Sequence, residues 1–156
     1  MNIFQRLRED HDKQRLLIQS LLQTHGDSCA RRDIYDSLKQ ELQAHAVAEE
    51  RHFYVPLIGS DLMQEKSRHA IAEHHEMDEL LADLDEIDNA SSAWLIKAKK
   101  LSEKIHHHLE DEEHEFFQLA GKVLTPELKE SLSDDFIAEK QNFLKTNITD
   151  KKIHKD

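Results

Sequence analysis

Apolar residues recur at three- and four-residue steps through most of the chain, the spacing that lines up one face of an α-helix. From about Ile3 to Thr24 the stripe is Phe4, Leu7, His11, Ile18, Leu21 and Leu22, and His25-Gly26-Asp27-Ser28 stops it. A second segment starts near Asp33, an adequate cap, and runs through Ile34, Leu38, Leu42, His45, Glu49 and Phe53 until Pro56 and Gly59. The third, from about Asp61 to Ile87, aligns Ile71, His74, Met77, Leu81 and Leu84 ahead of Asn89-Ala90-Ser91-Ser92. The fourth extends from Ser92 to about Val123 through Leu101, Ile105, His108, Glu112 and Phe116. Thr125-Pro126-Glu127 then opens a fifth helix with a cap, a proline at the first helical position and an acid in the first turn. The fold class expected is all-α: an up-down-up-down four-helix bundle over 1–123, an additional C-terminal helix over 124–148 that packs on or extends it, and a polar tail over 149–156.

The apolar stripes carry polar residues at matching depths. An offset of 63 residues maps His11 onto His74, His45 onto His108 and Glu49 onto Glu112. The frame moves with them: Ile18 and Leu21 onto Leu81 and Leu84, Leu38 and Leu42 onto Leu101 and Ile105, Phe53 and Tyr54 onto Phe116 and Phe117. Two copies of one helical hairpin result. In an antiparallel pair, two residues lie level when they are equally far from the turn. The midpoints of 11 and 45, of 45 and 74, and of 74 and 108 all fall in the expected turns, so the four histidines form one layer. Within each second hairpin helix, His45 and Glu49, and His108 and Glu112, stand one turn apart on one face.

Imidazoles and carboxylates buried without partners cost several kcal/mol each, and a cation satisfies them directly. Four imidazoles and two carboxylates suit a borderline divalent transition metal better than Ca²⁺ or Mg²⁺, and the absence of thiolates argues against structural zinc. Six side chains exceed one tetrahedral ion. If Glu49 and Glu112 bridge, they supply about eight contacts toward the roughly twelve of two octahedral ions, leaving open positions for water or an outside ligand.

Composition narrows the function further. Three glycines, two prolines and 6% aromatics among 156 residues suit one helical domain. A net charge of −11 without Lys/Arg clusters speaks against nucleic acid or an anionic membrane as a partner. Cys29 is alone in a turn, which suits a reducing compartment. With a charged start and no long apolar run, a cytoplasmic location is expected.

Four stretches together resemble the hemerythrin-like, or HHE cation-binding, domain family: Glu9-Asp10-His11, the run from His45 to Pro56, Ala72-Glu73-His74, and the run from His108 to Phe117. The resemblance implies a four-helix bundle around two iron ions in an oxo- or hydroxo-bridged non-haem centre. Such a centre binds a small diatomic or peroxide ligand (O₂, NO or peroxide), senses oxygen or iron, or handles iron. His11, His45, His74 and His108 would be terminal metal ligands and Glu49 and Glu112 bridges. Oxygen-carrying members have a second histidine four residues after the third-helix ligand, where this chain has Asp78, and His-x-x-x-x-Asp on the fourth helix, which His106 and Asp111 could imitate. The repeat favours His108 with Glu112, and Asp78 could add a carboxylate suited to ferric iron.

The leading expectation is a cytoplasmic di-iron protein acting in sensing, storage or stress response. The alternatives are a di-iron redox enzyme (oxidase, peroxidase-like or iron–sulfur repair) and a metal-buffering or structural module loaded with zinc, manganese or nickel. His75, His106 and His107 are expected on solvated faces, and His52 at the edge of the core. Glu50 and Glu113, rotated about 100° from their neighbours, are expected to point outward unless one bends in to bridge. Phe53, Phe116 and Trp94 read as packing, and the fifth helix either covers the bundle or meets a second chain.

Overall fold

The computed structural model describes residues 1–154, with side chains through residue 147; the side chains of the expected polar tail lie outside the described residues. It is helical throughout, with no strand among the described residues. The helices are α1 (Ile3–Leu22), α2 (Cys29–Glu49), α3 (Val55–Ile58), α4 (Gln64–Glu86), α5 (Ser92–Asp111), α6 (Phe117–Val123) and α7 (Pro126–His154). Two π-helical turns, Glu50–Tyr54 and Glu112–Phe116, join α2 to α3 and α5 to α6. The second and fourth predicted helices are thus continuous rods with a widened turn in each.

Local chemistry sets the ends. Asn2 and Gln5 form a capping box, the Asn2 side chain accepting from the Gln5 amide at 3.0 Å and the Gln5 side chain from the Asn2 amide at 2.9 Å. Helix α2 starts at Cys29, not near Asp33, because the Ser28 side chain caps it by accepting from the Arg31 amide. Gly26 supplies the left-handed residue, φ 56°, that the preceding turn needs. Ser91 caps α5, and Thr125 with Pro126 starts α7 as expected.

Helices α1, α2, α4 and α5 pack as a closed ring, α1 against α2, α2 against α4, α4 against α5, and α5 back against α1. Two apolar clusters fill its ends. One is aromatic, with Phe53, Tyr54, Phe116, Phe117 and Phe136; the other is largely aliphatic, with Ile18, Leu38, Leu42, Met77, Leu81 and Leu101. Trp94 anchors the aliphatic end as expected, 2% exposed beneath the Arg31 guanidinium. Helix α7 lies along α1, α2 and the first π turn, burying Leu132, Phe136 and Lys140 there. Between the two clusters lies the polar layer.

Candidate metal centre

Six side chains from four helices meet in that layer: His11 from α1, His45 and Glu49 from α2, His74 from α4, His108 from α5, and Glu112 from the second π turn. None is more than 4% exposed. Each histidine turns its Nε2 inward. His11 Nε2 lies 3.3 Å from Glu112 Oε1, His45 Nε2 3.3 Å from Glu49 Oε1, His74 Nε2 3.1 Å from Glu49 Oε1, and His108 Nε2 3.4 Å from Glu112 Oε2. Ligand atoms on adjacent corners of an octahedron with bonds of about 2.1 Å are about 3 Å apart, so these spacings suit donors around an ion. Two groups result, with donor atoms within 4.8 Å: His11, His45, Glu49 and Glu112, and Glu49, His74 and His108. Glu49 belongs to both.

His11 Nε2, His45 Nε2, Glu49 Oε2 and Glu112 Oε1 are buried without a hydrogen-bond partner. Four orphaned donors and acceptors in one layer are costly in a packed interior unless something satisfies them. A mixed imidazole and carboxylate set is a transition-metal set, so the residues present fit a pair of such ions.

The outward nitrogens are all occupied by carboxylates. His45 Nδ1 meets Asp10 at 2.8 Å, His108 Nδ1 meets Glu73 at 2.9 Å, His11 Nδ1 meets Glu113 at 3.0 Å, and His74 Nδ1 meets Glu50 at 3.2 Å. Such partners fix the ring orientation and raise the basicity of a ligating imidazole. Glu50 and Glu113 therefore turn inward rather than outward, yet they grip histidines instead of bridging. The signal for all four was present: each adjoins one of the six, and the 63-residue offset relates Asp10 to Glu73 and Glu50 to Glu113.

Tyr54 completes the layer. Its hydroxyl lies 2.7 Å from Glu49 Oε1 and also against Glu112 Oε2, joining the two carboxylates. The π turn makes this possible, because the bond from the Val55 amide to the Glu50 carbonyl is an i→i+5 bond that carries Tyr54 round toward Glu49. On an α-helix, residues five apart would diverge by about 140°.

The profile of the hemerythrin HHE cation-binding domain matches residues 2–120 of this chain. The chain belongs to that family. The crystal structure of a hemerythrin HHE cation-binding domain-containing protein from Mycobacterium kansasii superposes with a TM-score of 0.84 at 20% identity, covering 96% of this chain and 91% of that one, and shares its fold. A curated relative from Nostoc sp., named a DNA nickase, is 27% identical over 140 residues. That match takes in 90% of this chain but 39% of the relative, so the chain spans about two-fifths of its length.

The HHE domain's central imidazoles and carboxylates set one another's charge. Burial disfavours charge on His45, but Glu49 and Asp10 outweigh it and hold the imidazole up at about 10. His74 is likewise held at about 9 against burial by Glu49 and Glu50. Burial would raise Glu49, yet the histidines keep it well below the usual carboxylate range, whereas burial and the neighbouring Glu49 charge push Glu112 up. Glu113, despite burial, is pulled to about 2 by His11 and Arg15.

The remaining histidines of the HHE domain sort themselves by exposure. His75 and His107 are exposed and pair along their own helices with Glu79 and Asp111, and His106 is exposed. His52 sits 3.5 Å from Glu139 of α7, at the core's edge. Asp78 stays outside the two central groups. A cleft of about 450 Å³ between α4 and α5 reaches Glu73, His108 and Glu112 from the surface. Among the described residues no helix is long and apolar enough to cross a membrane.

Proposed function

We propose that this HHE domain is a cytoplasmic non-haem di-iron protein that binds O₂, NO or peroxide for sensing, storage or stress response. The observation that carries this reading is the pair of buried donor groups sharing Glu49, with four of their atoms unpartnered. His11, His45, His74 and His108 would hold the ions, with Glu49 and Glu112 shared between them. Two ions in such a site supply Lewis acidity and one-electron redox capacity to a small ligand. The chain does the rest: Asp10, Glu50, Glu73 and Glu113 orient the imidazoles, Tyr54 holds a proton against both carboxylates, and the aromatic end keeps water out.

Peroxide turnover is a second reading, favoured by the Tyr54 phenol, which holds a proton at Glu49 and Glu112. The net charge of −11 speaks against carrying DNA nicking over from the Nostoc protein, of which the chain spans about two-fifths.

The test is metal analysis and visible spectroscopy of protein from iron-supplemented cells, through reduction and return to air. Two irons per chain with charge-transfer bands that vanish and return support ligand binding. One-way bands with peroxide consumption support the second reading. Zinc, or no metal in iron-replete protein, would overturn both.

A further inference from the structure

On the aliphatic side of the polar layer the packing leaves a cavity of about 10 Å³, where Gln14, Leu42, Met77 and Asp78 meet His45, His74 and His108. That is room for about one water-sized group. Three of the six candidate ligands border it. Glu49 and Glu112, tied by Tyr54, approach the layer from the aromatic end, whereas Leu42 and Met77 belong to the aliphatic cluster. Asp78, which belongs to neither donor group, is the one carboxylate on this side of the layer.

Gln14 is the polar group that does not fit a packed interior. It lies one helical turn from His11, is 2% exposed, and its amide Nε2 has no hydrogen-bond partner. A buried amide left unpaired costs about 1–3 kcal/mol, so its position beside three imidazoles calls for a partner that protein atoms do not supply. The repeat sharpens this: the 63-residue offset relates Gln14 to Met77, so one hairpin brings a donor to the cavity and the other a flexible thioether.

We propose that this cavity is the pocket for the outside ligand and that the Gln14 Nε2–H group donates a hydrogen bond to it. The proposal rests on the metal-centre reading above. The ligand class is a one- or two-atom species with an acceptor atom turned away from the ions, with Met77 yielding to admit the second atom. Ligands that accept hydrogen bonds are retained over an equally small apolar one, and Gln14 sets that preference.

Nitric oxide added anaerobically to the reduced, iron-loaded protein is the probe, read by the infrared N–O stretch and by the dissociation rate. In the native protein the stretch shifts when H₂O is replaced by D₂O. In Gln14→Leu, with iron content unchanged, the stretch moves to higher frequency, loses its deuterium sensitivity, and nitric oxide leaves roughly 3- to 10-fold faster, as expected for one hydrogen bond. A native stretch indifferent to deuterium overturns the proposal without reliance on any variant. So does a fully iron-loaded Gln14→Leu protein with an unchanged stretch and rate. Failure of the native protein to take up iron overturns the metal-centre reading itself, and this proposal with it.

Discussion

Tyr54 and Phe117 occupy corresponding places in the two hairpins, and the single hydroxyl between them makes the halves chemically unequal. The phenol is fully buried and donates toward Glu49 and Glu112, while Phe117 stacks on the His11 ring at 6.0 Å with the planes 16° apart. Because the native fold already accepts Phe at the related position, Tyr54→Phe removes a proton donor with little change of shape. In the metal-free protein it leaves two buried carboxylates short of a donor, so a loss of about 1–3 kcal/mol is expected. Chemical denaturation of chelated and metal-loaded samples checks this. The penalty should shrink once metal satisfies the carboxylates, and equal penalties in both states would mean that the hydroxyl serves packing alone. Lys140 makes a similar case from outside the ring, since its ammonium meets Asp10 at 2.8 Å and Glu41 at 2.6 Å, both buried. Lys140→Met strands Asp10, the carboxylate that grips His45, and the expected destabilisation is about 3 kcal/mol. A midpoint in urea within experimental error of the native protein would show that the acids find other partners.

At the scale of elements, the π turns do what straight helices could not. Each opens the ladder next to a central glutamate, Glu49 or Glu112, and the first keeps Tyr54 in the layer. Deleting Arg51 should convert the π turn to α-helix and make Tyr54 the fourth residue after Glu49, about 40° round and still in the layer. Its near-ultraviolet circular dichroism should then persist along with the far-ultraviolet helix signal; loss of the aromatic spectrum with the helix signal intact would count against the π turn as a one-residue insertion that keeps Tyr54 on the face of Glu49. The sequence made the helices, the repeat and the six central residues legible because periodicity and equal depth are properties of spacing alone. It did not make the π turns legible, since a widened turn leaves the apolar stripe nearly continuous through Phe53 and Phe116. Its place about 100° from Glu49 also sent Glu50 outward, whereas its side chain reaches His74 from the flank. Asp10 and Glu73 were passed over for a different reason: they lie beside the inward residue rather than on the stripe, and only the neighbouring helix shows which imidazole they meet. Ser28 was missed as a cap because Asp33 is an equally good signal, and the helix extends to the earlier of the two.

For the whole molecule, the polar layer is a place where folding, protons and metal compete for the same atoms. In the metal-free protein His45 and His74 are held at about 10 and about 9, above the value near 6.5 of an unfolded chain. A group raised in this way stabilises the fold fully below the unfolded value, and its contribution is lost as pH rises through the folded one. The metal-free protein should therefore melt at a lower temperature at pH near 10 than at pH 7. Metal acts in the opposite sense, because it needs neutral imidazoles and anionic carboxylates and must displace those protons on binding. Uptake should release protons at neutral pH, and the gain in melting temperature on loading should grow between pH 7 and 10. Calorimetric titrations in two buffers of different ionisation enthalpy measure the protons, and scanning calorimetry of chelated and loaded samples measures the gain. Uptake without proton release, or a metal-free melting temperature flat across that range, would mean that the layer is neutral before metal arrives. In that case the four orphaned atoms, rather than trapped charge, would be the feature that draws the ions in.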